Sequence, residues 1–408
     1  MRSLGKTTAS LARFRRQWQT LSPMAARSSA SNNEHPVEGR LRAVSGFGSN
    51  PGALRMWEYR PEHLAPSPAL VVVLHGCTQN ATEYDHGAGW STLADRYGFV
   101  VLFPEQDRAN NPNLCFNWFQ PGDTARGRGE ALSIRQMVER AAADHGIDRG
   151  RVFVTGLSAG GAMTAVMLAT YPDVFAGGAI IAGLPHGAAA NVQEAFESMF
   201  QSPPRPAREW GDLVRAASPH RGPWPRLSVW HGSVDATVKP ANADEILKQW
   251  ADVHGLSSTP TTTDRVDGYP RSVWRDADGN DVIESYTITG MAHGTPLAVG
   301  DGETSVGAAG PFLLEAGISS SYHIAKFWGL TGSAKASDGE AIRLPSRVSA
   351  EPRSRSSDQP RPERGAREAE EPTAGPGANG PEPHGRGRSV DVGAVITRAL
   401  RTAGLLKD

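Results

Sequence analysis

The chain holds 408 residues, 39% of them hydrophobic, with 45 glycines, 30 prolines and a formal net charge of −1. That suffices for one large α/β domain with appendages or for two small domains. The even charge balance argues against nucleic acid as a main partner, and no apolar run approaches the roughly 20 residues that span a bilayer.

The first 30 residues contain Arg and Lys but neither Asp nor Glu. Leu11, Phe14, Trp18 and Leu21 fall on one helical face, which fits either a surface-adsorbing basic helix or a frayed extension. An uninterrupted apolar signal core is missing, since Arg13 follows Leu11-Ala12 directly. Residues 54–60 and 69–75 read as strands, and Leu70-Val71-Val72-Val73-Leu74 suits a sheet centre buried on both faces. Trp90, Leu93, Ala94 and Tyr97 mark a helix stopped by Gly98. Phe99–Phe103 is the next strand, and Ile134, Met137, Val138 and Ala141 mark a second helix, closed by Gly146.

Arg151–Thr155 is a short apolar strand, and Gly161–Tyr171 a helix that Pro172 ends. Between them stands Gly156-Leu157-Ser158-Ala159-Gly160. A G-x-S-x-G between strand and helix is a nucleophile elbow, whose small neighbours allow a tight turn that lifts the serine hydroxyl above the sheet edge. Further strands are expected at 175–182 and 227–230, separated by a Pro-rich excursion over 186–225 that is either a cap or a surface loop. A helix at 243–253 follows. Residues 262–288 read as shorter, antiparallel-looking strands around Asp278-Gly279, and Tyr322–Trp328 as a closing helix. Strands alternating with helices predict a mainly parallel sheet with right-handed crossovers.

After Gly332 the composition turns to Pro, Gly, Ser, Arg and Glu, too poor in apolar residues to fold alone. Val392, Val395, Ile396, Ala399, Leu400 and Ala403 then restore a helical face. The expected organisation is a basic extension (1–40), a catalytic domain (41–332), a disordered linker (333–388) and an amphipathic helix (389–408). That last helix docks on the body or on a partner, an apolar granule surface among the candidates.

A serine hydroxyl needs a base to take its proton, and the base an acid to orient it. With an elbow the order is serine, acid, histidine, each beyond the carboxyl end of a strand. Asp235, in His231-Gly232-Ser233-Val234-Asp235, follows a strand through a short turn. His293, in Gly290-Met291-Ala292-His293-Gly294, is the only later histidine placed just beyond a strand, since His254 ends a helix, His323 lies inside one and His384 is in the tail. The oxyanion of a tetrahedral intermediate needs preorganised N–H donors. Ala159 supplies one at a helix N-terminus, and the loop His75-Gly76-Cys77-Thr78-Gln79-Asn80 supplies the other at Cys77. Cys77 and Cys115 are the sole cysteines. Oxidised, they close a loop of a few dozen residues worth roughly 4 kcal/mol on the chain-entropy model; in a reducing cytosol they stay thiols. Trp118 and Phe119 can wall an acyl chain or pack the core, and Gln79 can hold an ester carbonyl or close its own loop. The twelve histidines show no metal-binding spacing, and this chemistry requires no cofactor.

His75-Gly76-Cys77-Thr78-Gln79, Asn117-Trp118-Phe119, Gly156–Met163 and His231–Asp235 together resemble the polyhydroxybutyrate depolymerase-type esterases of the α/β-hydrolase superfamily, relatives of feruloyl and acetylxylan esterases. The resemblance spans roughly residues 41–330. It implies an α/β-hydrolase fold, a triad of Ser158, Asp235 and His293, oxyanion donors at Cys77 and Ala159, and a Cys77–Cys115 disulfide pinning the oxyanion loop. The implied substrates are carboxylic esters, notably short-chain hydroxyalkanoate polymers and oligomers. The resemblance also implies an extracellular location. Without a recognisable secretion signal or a separate polymer-binding domain, a cytoplasmic site and soluble oligomers, granules or other small esters stay open.

Overall fold

In the computed structural model, which describes residues 39–332, the Val-rich run is β3 (Leu70–Leu74), with every residue buried. The basic N-terminal extension, the linker after Gly332 and the tail helix of 389–408 lie outside the described residues. Around β3, strands β1 (Arg42–Val44), β2 (Arg55–Tyr59), β4 (Val100–Glu105), β5 (Val152–Leu157), β6 (Gly177–Ile181), β7 (Arg226–Gly232), β8 (Thr262–Val266), β9 (Tyr269–Arg275) and β10 (Asp281–Ile288) form one 10-stranded sheet. Its order is β1-β2-β4-β3-β5-β6-β7-β10-β9-β8. The central run from β4 to β10 is parallel, and the antiparallel pairs lie at the two ends.

The parallel centre explains the continuous apolar runs, because helices cover both faces and β3, β4, β5 and β6 are buried at every residue. Among the described residues one face carries the helices α1 (Ala81–Ala88), α2 (Trp90–Tyr97) and α9 (Ser320–Phe327), and the other α4 (Gly129–His145), α5 (Ala159–Thr170) and α8 (Ala241–His254). On the first face Trp328 stacks on Phe153, ring centroids 4.8 Å apart. Helix α5 is buried along its whole length, as expected for a helix beneath a sheet and covered by others.

The antiparallel reading of 262–288 holds for β8, β9 and β10. However, β10 also pairs in parallel with β7, Tyr286 opposite Trp230, so it is an interior strand that carries its following loop to the site edge. The Pro-rich excursion contains two helices, α6 (Val192–Gln201) and α7 (Ala207–Ala216). They are docked on the flank at α8: Trp210 Nε1 donates to Glu245 at 2.7 Å and Asn242 Nδ2 to the Ser198 carbonyl at 3.0 Å. The short helix α3 (Pro121–Thr124) and the parallel pair β11 (Thr295–Leu297) and β12 (Leu313–Glu315) complete the described elements.

Candidate active site

Ser158 stands between β5 and α5 with φ 58° and ψ −116°, a left-handed conformation that costs a non-glycine residue about 1–3 kcal/mol and persists only where surroundings enforce it. The surroundings here are backbone. A Cβ on Gly160 would collide with the carbonyl oxygens of Leu74 and His75, and one on Gly156 would lie 2.5 Å from the Gly160 carbonyl. The glycines of the motif are therefore a packing requirement: β3, β5 and the start of α5 meet main chain to main chain. Ser158 N–H donates to the Ile181 carbonyl at 2.9 Å, tying the elbow to the end of β6.

Asp235 and His293 are joined as the strand positions require. His293 Nδ1 lies 2.7 Å from Asp235 Oδ2. Their loops are bolted together: Val234 N–H donates to the Met291 carbonyl at 3.1 Å and Gly290 N–H to Ser233 Oγ at 2.8 Å. A side chain at Gly232 would strike the carbonyls of Met291 and Ala292, so only glycine lets the two loops approach. Asp235 Oδ1 accepts from the N–H groups of Thr237 and Val238 at 2.8 and 2.9 Å. Burial opposes the charge on this carboxyl, but hydrogen bonds from His231 and His293 outweigh it and hold the group well below the usual carboxylate range.

His231 was not among the sequence candidates. Its Nε2 lies 2.9 Å from the Val238 carbonyl and 3.4 Å from Asp235 Oδ2, so a proton there serves both. The signal was available, since His231 opens the motif that ends in Asp235.

On the far side of Ser158 the loop after β3 is rigidly bonded. Gly76 N–H donates to Gln79 Oε1 at 2.9 Å, Thr78 N–H to the Asn113 carbonyl at 2.7 Å and Gln79 N–H to the Gly76 carbonyl at 3.3 Å. The Cys77 N–H makes no such bond among the described residues, and the Ala159 N–H is at the first turn of α5, where amide donors lack helical partners. Cys77 and Cys115 form a disulfide.

For Gln79 the sequence left two readings open, an ester contact and a closed loop. Both ends of its amide are spent inside the protein, Oε1 on Gly76 and Nε2 on the Pro311 carbonyl at 3.3 Å. It closes its loop and clasps the 310–313 turn. Trp118 and Phe119 are 8% and 4% exposed, set edge to face at 5.5 Å, in the same buried cluster as Ala159 and Met163.

The turn that Gln79 clasps brings in Phe312, which nothing in the sequence singled out. Its ring is edge-on to His293 at 6.0 Å, and its φ is 63°. The Phe312 carbonyl accepts from Thr295 N–H at 2.8 Å, and Thr295 Oγ1 meets Tyr84 Oη at 3.1 Å. A left-handed conformation costs an L-residue roughly 1–2 kcal/mol that glycine escapes. Phe312→Gly is accordingly expected to unfold at a higher temperature than Phe312→Ala, although both lose the same ring. Thermal melts of the two variants check this, and equal midpoints would show the backbone there to be relaxed.

Residues 59–272 match the protein family described as esterase PHB depolymerase. The chain is 49% identical over 293 residues to poly(3-hydroxyalkanoate) depolymerase C of Paucimonas lemoignei, covering 72% of this chain and 70% of that one. It is 37% identical over 265 residues to an acetylxylan esterase of Coprinopsis cinerea, covering 63% and 70% respectively. Among solved structures, an acetyl xylan esterase from Aspergillus awamori superimposes with a TM-score of 0.58 at 31% identity, over 62% of this chain and 94% of that one.

Proposed function

Because the chain belongs to the esterase PHB depolymerase family and is a carboxylic ester hydrolase of α/β-hydrolase fold, we propose that Ser158, His293 and Asp235 are its catalytic triad. The Cys77 and Ala159 N–H groups are the oxyanion donors. The observation that carries the reading is the His293 Nδ1 to Asp235 contact of 2.7 Å, made at the same sheet edge as the strained elbow serine. With Nδ1–H held by a carboxylate, Nε2 is the free acceptor, as a general base requires.

The steps follow. Ser158 Oγ attacks the ester carbonyl while its proton passes to His293 Nε2. The former carbonyl oxygen, now an anion, is held by the N–H groups of Cys77 and Ala159, the second aided by the helix dipole. His293 returns the proton to the departing alcohol, leaving an acyl-enzyme. Water, deprotonated by His293, attacks the acyl carbon, and collapse frees the acid and Ser158.

The substrate proposed is a short-chain hydroxyalkanoate ester, poly(3-hydroxybutyrate) or its oligomers, and the 49% identity to the Paucimonas lemoignei depolymerase supports it. Phe312, edge-on to His293, supplies an apolar surface beside the proposed base, and Trp118 and Phe119 pack in the buried cluster that holds Ala159, an uncharged setting that suits such an acyl chain. A feruloyl- or acetylxylan-type specificity is the second reading, favoured by the acetylxylan esterase relatives. Hydroxybutyrate oligomers are expected to be cleaved with a kcat/KM at least about tenfold above acetylated xylan or methyl ferulate, a margin that a few apolar contacts supply. The check is product analysis on the three substrates side by side, and the reverse preference would move the enzyme to the second reading.

A further inference from the structure

Directly behind the oxyanion loop lies a buried carboxyl that the mechanism leaves unused. Glu130, the second residue of α4, is wholly buried and makes no ion pair among the described residues. Four N–H donors converge on it instead. Its Oε1 receives Gln106 Nε2 at 2.6 Å, Asn117 Nδ2 at 2.8 Å and Asn110 Nδ2 at 3.2 Å, and its Oε2 receives the Asn117 N–H at 2.8 Å. Burial, and then the nearby charge of Asp123, push this carboxyl up to about 8. A carboxyl kept in such a place without a cation is costly, and core packing alone would be served better by an apolar side chain.

The donors lead to the oxyanion loop at two points, His75-Gly76 and Cys77. Gln106 follows β4 at the sheet edge, and its N–H donates to His75 Nε2 at 3.2 Å. That bond leaves the His75 proton on Nδ1, which donates to the Gly76 carbonyl at 2.8 Å and sets the peptide that precedes Cys77. The second arm runs through Cys115: Gln106 Nε2 also donates to the Cys115 carbonyl at 3.0 Å, and Cys115 is bonded to Cys77. Asn117, held by Glu130 at two points, donates nothing further to the loop but accepts Asn111 Nδ2 at 3.0 Å, and Asn111 Oδ1 in turn accepts from the Asn113 N–H at 3.0 Å.

We propose that Glu130 is a positioning residue for the oxyanion hole: through Gln106 it fixes His75-Gly76 and Cys115, and so aims the Cys77 N–H. This rests on the assignment of Cys77 as an oxyanion donor. The hub binds no substrate, so its loss weakens only what forms in the transition state, and kcat falls while KM stays.

The experiment compares wild type, Glu130→Gln and Gln106→Met on p-nitrophenyl butyrate and in the rate of Ser158 modification by a fluorophosphonate, whose adduct is also tetrahedral. In Glu130→Gln an amide NH2 faces incoming donors, whichever way it turns. It is expected to lose about 10- to 100-fold in kcat, less than deletion of a whole oxyanion donor, with KM within about twofold, and to be labelled more slowly by the same factor. Gln106→Met removes the side-chain bonds to Glu130 and Cys115 but keeps the main-chain bond to His75. It should show the same kind of loss, and combining both changes should give less than the product of the two effects. Wild-type kcat and labelling rate in folded Glu130→Gln overturn the proposal, as does a rise in KM with unchanged kcat. Where Glu130→Gln does not fold, Gln106→Met decides by the same two readings. If wild type itself is not labelled at Ser158, the assignment of the site has failed instead.

Discussion

Ser158→Ala is expected to lower turnover of p-nitrophenyl butyrate by about 10⁵- to 10⁶-fold while leaving the fold in place. The size follows from the all-or-none character of a nucleophile and base acting as one unit: without the hydroxyl there is no acyl-enzyme, and what survives is binding and oxyanion polarisation. The fold should survive because the elbow is held by main-chain contacts. Ser158 N–H reaches Ile181, the Ser158 carbonyl receives the Ala162 N–H at 2.8 Å, and Gly156 and Gly160 abut backbone. Alanine keeps the same Cβ at φ 58°, so the strain is unchanged and the melting temperature should stay within a few degrees. Steady-state kinetics, a thermal melt and loss of fluorophosphonate labelling check the three parts. Near-normal turnover in the folded variant would remove Ser158 from the mechanism.

How far the chain could be read depended on how local each signal was. The run Leu70–Leu74, the elbow glycines and the Asp235 turn carry their meaning within a few residues, because strand burial and main-chain crowding act over that range. Helix α6 was overlooked although Val192, Ala195, Phe196 and Met199 have helical spacing, since Pro203, Pro204 and Pro206 just beyond it read as loop. Helix α1 was hidden for a different reason. It contains Glu83, Asp85, His86 and Gly87, has little apolar stripe, and is set by the Asn80 cap and by packing of Tyr84 and Ala88.

The site divides in the same way. Ser158, Asp235 and His293, the proposed triad, stand out by their place after strands. Glu130 and Gln106 do not, and His75 was legible only as part of its loop, since a hydrogen-bond hub joining a helix start, a strand end and a loop leaves no periodicity. The 310–313 turn likewise takes one of its partners from far along the chain, since the Gln79 bond to the Pro311 carbonyl spans 232 positions. The same bond shows why both readings of Gln79 stayed open: nothing local tells an amide facing substrate from one bonded within the chain.

Asp235→Asn should reduce kcat by about 10³- to 10⁴-fold with little change in KM, because it reverses the hydrogen bond that selects the imidazole tautomer. Asp235 Oδ2 now accepts from His293 Nδ1, and Oδ1 is already committed to the Thr237 and Val238 N–H groups. An asparagine must keep its oxygen toward those two donors, so its NH2 is turned to His293. Nδ1 then becomes the acceptor, the proton moves to Nε2, and the nitrogen proposed to accept the Ser158 proton can no longer take it. The substitution also carries a stability signature whose sign is fixed. The folded state holds the Asp235 carboxyl below its unfolded value, so its stabilisation is fully present above the unfolded range near pH 3.9 and is lost as pH falls through the folded value. Wild type should therefore melt above Asp235→Asn at neutral pH, and the gap should narrow on acidification below about pH 4. Melting curves across pH 3 to 8, beside kcat at neutral pH, measure both effects. A gap that widens in acid, or a variant with near-native kcat, would show that the charge at Asp235 neither orients His293 nor stabilises the loop it sits in.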